Sequence, residues 1–160
     1  MSSRKKVIVR KFSRDWQSGY VEPQGFAREG RLELLDMTGK VTEILLSEVK
    51  MVCFVRDFLP GDPVNPERLV RRTFTARPRA EGVWVRLQFR DGDQLEGLAN
   101  NDLSILEPEG IQVTPPDTRS NTQRVFVPRT ALEAMTVMAV IGQGHRRKPE
   151  DAAQETLFAS

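Results

Sequence analysis

The chain has one cysteine, Cys53, and one histidine, His145, in 160 residues. A single cysteine excludes an intrachain disulfide and any metal site built on several cysteines. Cys53 sits within Val52-Cys53-Phe54-Val55, where a small buried hydrophobe is expected. The histidine lies in the polar stretch 143–151, so no Ser-His or Cys-His pair assembles on a rigid scaffold. Phosphate-cradling glycine loops and clusters of metal-ligand spacing are missing too. No apolar run approaches a membrane span, and the basic N-terminus lacks a signal-peptide core behind it. Charge of one sign is not in excess: the formal net charge is +2, which argues against obligatory coating of a polyanion. These absences point to a cytoplasmic protein that is not an enzyme and holds no cofactor or metal.

What the sequence does contain is a repeat. One unit runs from about residue 6 to 58 and a second from about 82 to 142. Phe12 and Phe89 end matching segments, and Gly19-Tyr20 falls where Gly97-Leu98 falls. Leu32-Glu33-Leu34 matches Ile111-Gln112-Val113, and Glu48, Val52 and Val55 match Glu133, Val137 and Val140. A repeat of this period signals duplicated structural units. Each copy is near the lower limit for an independent core, so the two are expected to pack together.

Strand signals dominate both copies. Val83, Val85, Leu87 and Phe89 alternate with Arg86, Gln88 and Arg90, the pattern of a half-buried antiparallel strand. Asp91-Gly92 follows, and 94–98 is expected to return as a hairpin arm. In the first copy 31–35 and 41–46 flank a turn in which Gly39 supplies a positive φ. Each copy closes with a strand, a short polar break and a last apolar strand, 49–55 or 135–141. Apolar residues on both faces predict that these last strands are central or sandwiched between lobes. Pro128 belongs at a strand end or bulge.

Five short strands per copy, tight turns and no amphipathic helix indicate an all-β protein. It is expected as two tandem five-stranded small β-barrels packed together, with a disordered C-terminal tail. The strand order resembles Sm-like and SH3-like small barrels. The whole chain is similar to a bacterial family of uncharacterised proteins with this tandem layout, a likeness that implies a fold and no activity. The expected divisions are 1–58 for the first lobe, 59–81 for a Pro/Arg-rich connector, 82–142 for the second lobe and 143–160 for the tail.

Three stretches suggest binding. Arg68, Arg71, Arg72 and Arg77, followed by a strand and then Asp102-Leu103-Ser104, resemble the PilZ domains that bind cyclic di-GMP. That resemblance implies arginines on phosphates and guanines, and the turn on a base. Its pattern is departed from at Glu107, which stands where the family has glycine. Sm-like barrels often bind RNA, and Arg10, Lys11 and Arg14 interleave with Trp16 as a nucleic-acid contact would. Core filling explains Phe12, Trp16 and Tyr20 equally well.

The third stretch is Gln154-Glu155-Thr156-Leu157-Phe158, which resembles the pentapeptide that docks bacterial replication and repair proteins on the β sliding clamp. Leu157 and Phe158 would enter an apolar pocket and Gln154 would hydrogen-bond at its rim. Packing of this tail on the chain's own body is the alternative. The reading that results is a binding or adaptor protein that uses its body and tail to engage a protein partner. A cyclic di-GMP regulator and an RNA-binding module remain as alternatives. An enzyme would require convergence of carboxylates such as Asp91, Asp93, Glu96, Asp102 and Glu107.

Overall fold

The alternation from Val83 to Phe89 produces the strand it predicts. In the computed structural model, which describes residues 4–58, 73–116 and 121–142, the apolar members of Gly82–Phe89 are buried and Trp84, Arg86 and Gln88 are half-buried. Gly92 turns the chain at φ 94°, and Gln94–Ala99 returns with Gln94 opposite Gln88. The strands in chain order are β1 (Lys5–Lys11), β2 (Trp16–Val21), β3 (Ala27–Arg28), β4 (Arg31–Asp36), β5 (Val41–Leu45) and β6 (Val49–Val55). The second copy adds β7 (Gly82–Phe89), β8 (Gln94–Ala99), β9 (Gly110–Val113), β10 (Thr122–Pro128) and β11 (Leu132–Ile141). Helical structure among the described residues is confined to short 3-10 turns at Leu46–Glu48, Leu103–Leu106 and Arg129–Ala131. The class is all-β, as expected, and the sheets do not close into barrels.

The two halves pair their strands in the same order. In the first, the strands pair in the row β5-β4-β2-β1-β6. In the second, β10 pairs with β9 and β8 pairs with β7, which pairs with β11. The Leu98–Thr114 bridge, with hydrogen bonds of 2.8 and 2.9 Å, joins β8 to β9. Gly19 and Gly97 hold the same place, opposite Val7 and Val85. A Cβ on Gly19 would meet the Leu35 carbonyl oxygen at 2.6 Å, and one on Gly97 would meet Val113 at 2.7 Å. β4 crosses β2, and β9 crosses β8, so closely that only glycine fits.

The structural repeat departs from the sequence match in the last strands. Val49 lies opposite Lys11, and Leu132 opposite Phe89, so Phe89 corresponds to Lys11 rather than to Phe12. By the same ladder Val52 corresponds to Met135 and Phe54 to Val137. The cause is the 3-10 turn, which ends at Glu48 in one copy and at Ala131 in the other. It fixes where the last strand begins, whereas matching by residue type slides two places along a mostly apolar run. Pro128 takes the strand-end position expected of it.

The copies share a strand. β6 pairs with β1 along one edge and with β10 along the other, placing Phe54 opposite Arg124, Cys53 opposite Val125 and Val52 opposite Phe126. Val52 therefore enters the first core with Val7, Val9, Leu32 and Leu34. Its neighbour Cys53 enters the second core with Val85, Leu87, Phe89 and Val125. Phe126 crosses the other way and meets Phe26 edge-on at 5.1 Å between ring centroids. Of the two last strands expected to be central, β6 is; β11 lies at the outer edge, with only β7 beside it among the described residues.

Polar contacts lock this junction. Glu109 accepts from the backbone N–H groups of Glu29 and Gly30 at 3.0 and 3.3 Å. Asn121 exchanges hydrogen bonds with the Asp57 backbone at 2.8 and 3.1 Å. Arg90 donates to the Ser47 carbonyl at 2.7 Å and stacks 4.0 Å from the Phe12 ring centre. Such spanning bonds satisfy backbone groups where the two halves meet.

Candidate functional site

Two surfaces stand out, and the first is the outer edge of β11. Ten residues long, it carries Glu133 as its only charge. Its counterpart β6 is buried on both faces, but Val137 and Val140 on β11 are 54% and 56% exposed, and Met135 and Met138 are exposed beside them. Edge strands are ordinarily protected by lysine, proline or shortness. β11 has bulges against β7 at Leu132/Ala134 and Val137/Ala139, which leave a regular ladder between Ala134 and Val137. The other unpaired edge that matters is β5, which pairs with β4 alone among the described residues and exposes Val41 and Leu45.

The second surface is a groove of about 270 Å³ between residues 74–80 and the β8–β9 region. Arg77 and Arg79 are exposed along it, over a floor that includes Leu98 and Pro115. Its wall is tethered by Glu96, a carboxylate only 3% exposed. Glu96 accepts from the Phe74 backbone N–H at 3.2 Å, from Trp84 Nε1 at 3.1 Å and from two nitrogens of Arg86 at 3.1 and 3.2 Å. Phe74 also meets the Trp84 ring edge-on at 5.9 Å. Full hydrogen bonding is what allows a charge to sit there.

The residues singled out from sequence are dispersed. Arg10 is buried on β1, Lys11 is half-buried, and Arg14, at φ 74°, and Trp16 are exposed around the first hairpin. Burial takes Arg10 out of any surface for nucleic acid, leaving Arg14 and Trp16 as the exposed members. Arg77 lines the groove, but Asp102 and Ser104 do not. They form their own closed turn, in which the Asp102 carboxylate accepts from the Ser104 N–H at 2.8 Å and from its hydroxyl. The Ser104 hydroxyl, then its N–H, hold the Asp102 carboxyl below the usual aspartate pKa. Arg68, Arg71, Arg72, Gln154, Leu157 and Phe158 lie outside the described residues, as does the expected tail 143–160.

The five carboxylates do not gather. Asp91 and Asp93 flank Lys50, Glu96 is held on β8, Asp102 closes its turn, and Glu107 is exposed after the Leu103–Leu106 turn. No group of three or more His, Cys, Asp or Glu among the described residues is arranged to hold a metal. None of the helices there is long and apolar enough to cross a membrane.

Two features escaped the sequence reading. The β11 edge is visible in the sequence as an apolar run, but it lies at the outer edge rather than in the interior. Glu96 was recoverable from the hairpin register, which sets it opposite Arg86. A family model described as "Family of unknown function (DUF6982)" matches residues 3–139. No curated protein and no solved structure matches the chain.

Proposed function

We propose that this chain, which belongs to the DUF6982 family of unknown function, is a protein-binding module that engages its partner by strand addition along β11. The single observation behind this reading is the exposed, nearly uncharged edge of Leu132–Ile141. An open edge supplies unpaired N–H and C=O groups for main-chain hydrogen bonds, and its exposed side chains supply selectivity. Val137 and Val140 are the residues that such a partner would cover first.

A photo-crosslinking amino acid in place of Val137, used in the native host, tests the reading. A protein adduct is the expected result, with none from the same probe at Gln112, which is exposed on β9 away from both open edges. Absence of any protein adduct at Val137 overturns it. In this proposal Gln154, Leu157 and Phe158 provide a second attachment, to a bacterial β sliding clamp. Leu157→Ala or Phe158→Ala should abolish clamp binding and leave the melting temperature unchanged.

The exposed Arg77 and Arg79 favour a second reading, in which the groove takes single-stranded RNA by phosphate contact. Binding must then weaken steeply with added salt, because phosphate contacts release counterions. Salt-insensitive binding counts against it.

A further inference from the structure

We infer that the partner on β11 is strand β5 of a second copy of the same chain, added head to tail; this rests on the reading of β11 as a docking edge. The argument comes from the junction already inside the molecule. There the last strand of one copy, β6, pairs with the fourth strand of the other, β10. Each has a counterpart left open among the described residues: β11 corresponds to β6, and β5 corresponds to β10. One chain thus presents both halves of a contact that it has already made once.

The internal register specifies the external one. Val125 on β10 lies opposite Val113, and Thr42 on β5 lies opposite Leu34, the equivalent of Val113. Thr42 thus takes Val125's place, with Val41 at Arg124 and Glu43 at Phe126. Cys53 lies opposite Ile8 and Thr136 opposite Arg86, so Thr136 takes Cys53's place. Carrying the internal pairs across sets Thr42 opposite Thr136, Val41 opposite Val137 and Glu43 opposite Met135. All three fall in the regular part of β11 between its bulges. The first of these bulges is no obstacle, because β6 carries the same irregularity against β1, between Arg10 and Lys11, and still accepts β10.

Exposure agrees with this pairing. Val41 and Val137, which would cover one another, are 53% and 54% exposed. Glu43, ion-paired to Arg31 at 2.9 Å, stands where Phe126 stands inside, so the outer junction is more polar than the inner one. It is expected to be reversible and concentration-dependent. Because the two surfaces differ, the contact is heterologous, generating a ring if the rotation closes and a filament if it does not.

Cysteine pairs test the register. Directly opposed residues alternate between close and wider spacing in an antiparallel ladder, so one of two adjacent pairs is well placed for a disulfide. Chains bearing Thr42→Cys and Thr136→Cys are mixed and oxidised, and likewise Val41→Cys with Val137→Cys; native Cys53 is buried and serves as the background. The expected result is a two-chain species in at least one mixture, absent from either chain alone and from Thr42→Cys mixed with Val140→Cys. Light scattering should show mass rising with concentration, and Val137→Lys should return the chain to monomer. A monomer at roughly 100 μM with no cross-link in either mixture overturns the inference. Cross-linking of Thr136→Cys to itself overturns it too, since that is a symmetric β11–β11 contact. If these tests fail while the Val137 photo-probe captures another protein, the docking edge stands and the second copy is the wrong occupant.

Discussion

Lys50 Nζ lies 2.8 Å from an Asp91 carboxylate oxygen, although the lysine belongs to β6 and the aspartate to the turn between β7 and β8. Asp93 contacts the same ammonium, and the Phe89 ring centre is 5.2 Å away. The lysine side chain is 5% exposed and Asp91 is 36% exposed, so the cation is buried while its anions reach solvent. That asymmetry decides what removal of the lysine costs.

Lys50→Met is expected to destabilise by about 1 kcal/mol, well below the several kcal/mol typical of breaking a fully buried pair. Both aspartates can rehydrate, and the methionine retains most of the apolar stem. Lys50→Ala should cost about 2 kcal/mol, because packing is lost as well. Urea denaturation of the two variants measures the difference.

Acid should weaken the same contact. Burial acts to raise the Asp91 pKa, but the Lys50 hydrogen bond, the Asp93 N–H and the Lys50 charge outweigh it and leave the carboxyl below its ordinary value. A depressed carboxylate stabilises the fold above its unfolded pKa, about 3.9, and that contribution disappears as pH falls through the folded pKa. Asp36, held low by Thr38 and Lys40, and Asp102, held low by Ser104, act in the same direction. Stability against pH should therefore drop below about pH 4, and less steeply in Asp91→Asn.

Gly19→Ala and Gly97→Ala should each cost about 1–3 kcal/mol, the range for overpacking against a fixed neighbour. The obstacle at Gly19 includes a backbone oxygen at 2.6 Å, which cannot rotate away. At Gly97 it is the Val113 side chain at 2.7 Å, with the Thr114 carbonyl oxygen at 3.1 Å. Additive losses are expected from thermal melts, since the two glycines pack in separate cores.

These glycines show how much of the fold was legible. Their match, with that of Leu34 to Val113, is local and survives any loop length, so it set β2 against β8 and β4 against β9. The last strands were placed two residues out because Val, Met and Phe look alike in either register and only a 3-10 turn distinguishes them. Which edge β6 would share was not legible at all. That choice depends on a pairing between strands separated by the whole connector, and alternation alone says nothing of the neighbour. The arginines were visible as composition, whereas Glu96, which tethers the wall beside Arg77 and Arg79, became visible only through its partners.

Glu96→Gln should loosen that wall. A neutral amide offers one acceptor oxygen to donors that now share two, so Arg86, Trp84 or the Phe74 N–H must lose its acceptor at this position. The expected cost is about 1–3 kcal/mol, with a red shift in Trp84 emission and faster hydrogen exchange at Phe74. Unchanged exchange at Phe74 would show that ring packing alone holds the segment.

Since β6 lends Val52 to one core and Cys53 to the other, neither half of the chain is expected to fold by itself. Severed within 59–81, the two pieces should remain one particle and melt as one. A gene encoding either repeat by itself would yield a chain with a raw seam where its sibling belonged.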